Sequence, residues 1–122
     1  MNNRAHWIWM PHPAHFILAE RCFFRLATVV GKNKKYIIST VGELSPSEVA
    51  KKWNKDNPDF KWEALGSGED DYYETYVFKA KKVRRHCCPF DAVIDKQVDG
   101  ERCGDAKEAN KLHIEMCKRW DI

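Results

Sequence analysis

Four residues in the last third of the chain belong to the types that bind zinc. Cys87 and Cys88 are adjacent just before Pro89, and His113 and Cys117 stand four positions apart in a segment with helical periodicity. Residues four apart share one face of a helix, and zinc takes such a pair from the helical half of a small finger. A turn near Pro89 would let the two thiolates complete the site. The predicted zinc ligands are Cys87, Cys88, His113 and Cys117.

The same residues also fit an interpretation without metal. Free cysteines are among the most buried residue types, and a histidine on an apolar helix face can lie at the edge of a core. The strong zinc signatures contain Cys-x₂-Cys, whereas this chain has Cys-Cys. Both interpretations stay open on sequence alone. If zinc binds, four protein ligands would make it structural, because no coordination position stays open for a substrate.

A second group of reactive residues, His12, His15 and Cys22, lies near the N-terminus. Two histidines three positions apart can bind a metal, and a cysteine with a nearby histidine can act as a nucleophile. Cys22, however, falls in the apolar register of a predicted strand, where burial raises the pKa of a thiol and makes it unreactive. This group therefore supports only an alternative, a small metal- or cysteine-dependent enzyme, and no catalytic residue is assigned.

Hydrophobic periodicity predicts the strands that position these residues. Residues 22–30 and 36–41 are rich in apolar and β-branched side chains, and the intervening Gly-Lys-Asn-Lys sequence predicts a β-hairpin. Residues 72–80 are predicted as a third strand. Residues 86–104 are expected to be irregular, because Cys-Pro and Asp-Gly pairs interrupt them.

Capping signals predict two helices. The first should begin after Ser45, with Glu48 three positions later, and end at Asn57 and Pro58. Its expected buried stripe is Val49, Ala50 and Trp53. In the second helix Asp105 is the expected N-cap. Its expected apolar face is Ala106, Ala109, Leu112, His113, Met116 and Trp120. This order predicts one α+β domain over residues 1–122, a small antiparallel sheet of three or four strands with two helices packed on one face.

Composition places the chain among ordinary globular proteins. Its 122 residues are 43% hydrophobic and 32% charged. Five cysteines cannot all pair in disulfides, which favours free thiols or metal ligands in a reducing compartment. No apolar stretch approaches the ~20 residues that span a bilayer, and the N-terminus lacks signal-peptide features. We therefore expect a cytoplasmic protein that does not contact a membrane.

Basic and aromatic residues are the candidates for partner binding. The net charge of +3 permits contact with nucleic acid but does not require it. Exposed aromatic residues are enriched at the hot spots of protein interfaces and also stack on bases. The expected partner-binding residues are Lys81, Lys82, Arg84, Arg85, Trp7 and Trp9. In the nucleic-acid alternative, the basic residues among them and Lys32, Lys34 and Lys35 would contact phosphates.

Several segments also carry a family resemblance. They are Trp7-Ile8-Trp9, His12-Pro13-Ala14-His15-Phe16, Phe24-Arg25-Leu26-Ala27-Thr28, Ile38-Ser39-Thr40-Val41-Gly42-Glu43 and Tyr73-Glu74-Thr75, together with Cys87-Cys88-Pro89 and the His113 to Cys117 pair. With these the chain resembles a group of small proteins encoded by phages and prophages. The resemblance implies a context and no functional residues. Small phage-like proteins without enzyme motifs are often accessory factors that block a host protein, including defence systems such as CRISPR. We therefore expect a binding module whose partner is a host protein or complex.

Overall fold

The computed structural model describes residues 6–12, 21–59, 62 and 72–122. Within these residues the chain forms five strands and two helices. They are β1 (Ile8–Trp9), β2 (Cys22–Val30), β3 (Tyr36–Leu44), α1 (Glu48–Asp56), β4 (Tyr73–Lys82), β5 (Phe90–Cys103) and α2 (Ala106–Trp120). The strands form one antiparallel sheet in the order β1-β2-β3-β4-β5. The α+β class is confirmed, with five strands where three or four were predicted.

The β2–β3 hairpin forms as predicted, and its turn needs a glycine. Gly31 adopts a φ of +110°, and a Cβ there would lie 1.8 Å from the carbonyl oxygen of Lys34. A side chain would therefore clash with backbone as well as strain the dihedral angle. The turn is closed further by the Lys35 ammonium, which donates to the Gly31 carbonyl at 2.6 Å.

The central strands are buried on both faces of the sheet. Directly opposed residues of antiparallel strands share a face, so Thr28, Ile38 and Val77 lie on one face, which α2 covers. The helix-side core comprises Trp7, Val30, Tyr36, Ile38, Val77, Met116 and Cys117. On the opposite face a second core comprises Met10, Ala27, Val29, Ile37 and Cys88, with Ala80, Phe90 and Ala92 packed against it. The sheet thus separates two apolar layers.

The prediction that residues 86–104 are irregular is wrong, because Phe90–Cys103 forms a strand of 14 residues. Pairing with β4 over its length overrides the local turn preferences. A register shift of three residues leaves residues 93–96 in a bulge. Gly100 serves close packing instead of a turn, since a Cβ there would come within 2.6 Å of the Tyr76 ring.

Helix α1 begins later than predicted, and most of its predicted buried stripe faces solvent. Ser47 is the N-cap instead of Ser45, and its hydroxyl accepts a hydrogen bond from the Ala50 amide at 3.2 Å. The helix ends at Asn57 as expected. Within Glu48–Asp56 the buried residue is Ala50, whereas Val49 is 68% exposed and Trp53 is 44% exposed. The expected buried stripe is therefore wrong for two of its three residues.

The structure confirms the prediction of helix α2, and hydrogen bonds to Asp121 anchor the chain at its C-terminal end. The Asp105 carboxylate accepts a hydrogen bond from the Glu108 amide at 2.7 Å, and Ala109, His113, Met116 and Cys117 are buried. Just after the helix, Asp121 accepts hydrogen bonds from the Trp7 indole and the Gly31 amide, both at 3.0 Å. This carboxylate joins the N-terminal segment, the hairpin turn and α2.

Neither helix of the described chain combines the length and the apolar composition that crossing a membrane would require.

Candidate metal centre and exposed aromatic surface

Three residues far apart in sequence form a group that could hold a metal ion: His12, Cys87 and Cys88. Their ligand atoms all lie within 4.8 Å of one another, and Nδ1 of His12 lies 3.4 Å from Sγ of Cys88. With zinc at about 2.3 Å from sulfur and 2.0–2.1 Å from nitrogen, tetrahedral geometry separates two such ligands by about 3.6 Å. The spacing in the structure is therefore close to that of two ligands on one ion.

The group forms where two connections meet on the face of the sheet opposite α2. The Met10 amide donates to the Ala27 carbonyl at 2.8 Å, which prolongs the β1 ladder and carries His12 to this face. The Val83 amide donates to the Pro89 carbonyl at 2.8 Å and closes the β4–β5 connection. Within that connection the Cys88 side chain points into the core, and Cys87 is exposed.

The environment of Cys88 favours the protonated thiol as long as no metal ion is bound. Burial raises the pKa of its thiol, and the hydrogen bond with Cys87 acts in the same direction, outweighing the lowering effects of His12 and Arg85. The raised pKa keeps the Cys88 thiol neutral in the absence of a cation. A bound metal ion reverses that preference, because coordination deprotonates a thiol outright.

A cavity of about 310 Å³ opens beside the group. Two of the three ligand residues, His12 and Cys88, form part of its wall. Its charged residues are Lys81, Arg85 and Asp91, and an ion pair joins the latter two. The remaining wall is apolar and consists of Met10, Ile37, Phe90, Ala92 and Ile94.

The structure does not bring His113 to the two adjacent cysteines. Both of its ring nitrogens are already engaged, Nε2 with the Thr28 hydroxyl at 2.8 Å and Nδ1 with the Thr40 hydroxyl at 2.7 Å. Burial lowers the pKa of this imidazole to about 4. A neutral imidazole has one donor and one acceptor nitrogen, so these two hydroxyls satisfy it completely and leave no lone pair for a metal.

Cys117 is likewise separate from the adjacent cysteines. It packs in the helix-side core with Ile38 and Val77, whereas Cys88 packs in the opposite core with Ile37. Because the sheet lies between the two cores, the predicted four-residue site is divided. Cys87 and Cys88 remain candidate zinc ligands, and His12 joins them. His113 and Cys117 are core residues, as the interpretation without metal predicted.

Cys22 is buried, as its position in the strand register predicted. It is buried against Val41 and Leu44, and its pKa is raised to about 11, first by burial and then by the nearby Glu74 carboxylate. His15 lies outside the described residues. Sequence reasoning noticed His12 but associated it with Cys22, because no local pattern connects residues 12 and 88.

The predicted partner-binding residues occupy different environments. Lys81, Lys82, Arg84 and Arg85 are exposed at the end of β4 and in the connection that follows it. Trp9 is 52% exposed and packs against the His113 ring with a centroid distance of 5.5 Å. Trp7 is only 8% exposed and belongs to the helix-side core. The expectation that Trp7 forms part of a binding surface is therefore corrected.

A different aromatic surface was not predicted from sequence. Val49 and Trp53, one helical turn apart, face solvent, and Trp62 is 47% exposed. The Asn54 side chain fixes Trp62 to the helix, accepting from its amide at 2.6 Å and donating to its carbonyl at 3.1 Å. We call Val49, Trp53 and Trp62 the α1 surface. The sequence pattern predicts a core stripe at Val49 and Trp53, because amphipathicity alone does not tell whether an apolar stripe faces the core or a partner.

No family model matches the chain, and neither does any curated protein or solved structure.

Proposed function

We propose that this protein is a protein-binding module that uses the α1 surface to engage a host protein. The observation that carries the proposal is the outward orientation of Val49 and Trp53 on a helix capped by Ser47. Single exposed apolar residues are common. A grouped set that contains two tryptophans is instead typical of an interface.

The geometry of α1 supports recognition by a groove. An amphipathic helix can lay its apolar residues, spaced by three or four positions, into a hydrophobic groove of a partner. Ser47 caps the first turn of α1, and the Asn57 amide bonds to the Trp53 carbonyl at 2.9 Å at the other end. Binding would therefore order few additional torsions, which reduces the entropic cost of association.

The charges on α1 indicate the chemistry of the partner. Glu48 is paired with Lys51 at 3.3 Å. Lys52 and Lys55 are exposed on the same short helix as the apolar residues. With Glu48 paired, these two lysines outweigh the single exposed Asp56, so the groove that fits this helix is apolar with a net acidic rim. Together with the phage resemblance, this supports a phage-borne inhibitor of a host defence or regulatory complex, such as a CRISPR system.

The test compares two variants in a reconstituted complex. A partner captured from the natural host is purified, and binding to the wild-type protein is measured by calorimetry. We expect one-to-one binding that Val49→Ala with Trp53→Ala weakens at least about a hundredfold, as expected for the loss of two hot-spot residues. Ile122→Ala, which removes an exposed apolar residue at the C-terminus, should bind as the wild type does. Equal binding by both variants contradicts the proposal, and so does dimerisation of this chain through α1.

For the metal centre we propose zinc. Two thiolates and an imidazole are ligands that zinc accepts readily. The ion would join the segment after β1 to the β4–β5 connection, so that its first role is to stabilise the module. This proposal is independent of the partner that α1 binds.

Nucleic-acid binding is the second candidate, and one observation favours it. The Ala80 amide bonds to the Lys35 carbonyl at 3.0 Å, so the hairpin turn lies beside the end of β4. The two basic runs of the sequence are thereby brought to the same end of the sheet. If they contact phosphates, affinity for DNA or RNA should fall steeply as salt rises. Fluorescence anisotropy with both nucleic acids at low salt tests this, and no binding to either rejects it.

A further inference from the structure

The metal centre offers three protein ligands within the described residues. The group consists of one histidine and two cysteines. Structural zinc sites are closed by four protein ligands, whereas three ligands leave a position for water or for a bound molecule. Two cysteines with one histidine is also a ligand set that catalytic zinc uses.

The cavity is placed to supply the fourth ligand. His12 and Cys88 form part of its wall, so an ion held by them borders the cavity. Its volume of about 310 Å³ lies at the lower end of the range of about 300–1,000 Å³ for small-molecule sites. A ligand in this open cavity can therefore reach the metal while the rest of it contacts the cavity wall.

The charges around the cavity favour an anion. A zinc ion with two thiolates is neutral as a unit, so it adds no net charge to the site. The Arg85 and Asp91 charges offset each other in their ion pair. Lys81 remains as a positive charge on the cavity wall, and it would neutralise one negative charge on a bound molecule.

The walls also offer apolar contacts to part of a bound molecule. Met10, Ile37 and Phe90 line the cavity and would bury hydrocarbon at about 25 cal/mol per Å². We infer that the cavity binds a small carboxylic acid, whose carboxylate completes the metal coordination beside Lys81 and whose apolar part packs on these three residues. This inference rests on the proposed metal centre and does not depend on the α1 surface.

The experiment uses the full chain loaded with cobalt in place of zinc, because the visible spectrum of cobalt bound by thiolates reports on its fourth ligand. Benzoate is the probe, and inorganic phosphate is the matched anion without an apolar body. We expect benzoate to change the cobalt spectrum with saturation and phosphate to have no such effect. Lys81→Gln should weaken benzoate binding about tenfold, whereas the neighbouring Lys82→Gln, outside the cavity wall, should leave it unchanged.

Three results overturn the inference. One is a spectrum that benzoate does not change, and another is a response to phosphate as strong as that to benzoate. The third is a chain that binds no cobalt, which would remove the metal centre itself. None of these results affects binding of a protein partner through Val49 and Trp53, so the two proposals fail separately.

Discussion

Nδ1 of His12 lies 3.4 Å from Sγ of Cys88, although 76 positions separate the two residues in the chain. This contact joins the segment after β1 to the connection between β4 and β5. With Cys87 it forms a group that could hold a metal ion.

The purified protein should carry about one zinc ion per chain, measured by mass spectrometry of the metal without added zinc. His12→Ala should lose most of this zinc, because two thiolates alone hold the ion less tightly than three ligands. His86→Ala removes a neighbouring exposed histidine outside the group and should keep the metal. Equal zinc content in both variants would contradict the site.

The buried imidazole of His113 should make stability depend on pH. Its pKa is about 4 in the folded chain and about 6.5 in an unfolded one. The unfolded state therefore binds more protons between these values, so the free energy of unfolding should fall as pH drops through this window. The full loss attributable to His113 is about 3 kcal/mol.

Urea denaturation at a series of pH values between 7 and 4 measures this dependence. His113→Gln cannot be protonated and should be less stable at pH 7, with a flatter profile over the same window. The Asp99 and Asp121 carboxylates also affect the pH dependence of stability, but equally in the wild type and in His113→Gln. Burial opposes the ionisation of both carboxylates. Hydrogen bonds from Trp120 and Arg119 outweigh this effect at Asp99 and lower its pKa. Hydrogen bonds from His6 and Trp7 do the same at Asp121. Their stabilisation is lost progressively below about pH 5 in both proteins, so the difference between the two profiles reports on His113. A parallel profile in wild type and variant would reject the assignment.

Asp121→Ala should lower the free energy of unfolding by about 2–3 kcal/mol. It removes a charged acceptor and leaves the Trp7 indole and the Gly31 amide without their hydrogen bonds. Asp95→Ala, at an exposed position in the β5 bulge, should change stability by less than about 0.5 kcal/mol. Urea denaturation compares the two, and similar losses would argue against a special role of Asp121.

Substitution on the α1 surface should separate stability from binding. Trp53→Ala should change the free energy of unfolding far less than Ile38→Ala, which removes a fully buried side chain and should cost about 2–5 kcal/mol. Thermal unfolding measures both. A loss as large for Trp53 as for Ile38 would show that the tryptophan belongs to the core and would remove the basis for a binding surface.

The sequence alone determined the elements whose signals are local. The apolar pattern from Cys22 to Val30 predicted β2 with its observed bounds, and Asp105 with Glu108 predicted the start of α2. These patterns succeed because capping and side-chain alternation act within a few residues. The buried register of Cys22 followed from the same alternation.

Tertiary structure decided everything that depends on partners distant in the chain. Phe90–Cys103 is a strand because β4 pairs with it, although it contains the turn signal Asp99-Gly100. Val49 and Trp53 face outward, and nothing in their spacing distinguishes a stripe that faces solvent from one that faces a core. His12 rather than His113 lies with the adjacent cysteines, because the sheet places His113 among the threonines on its other face. Spacing can show which residues are able to bind a metal, but only the packing of the sheet selects which of them meet.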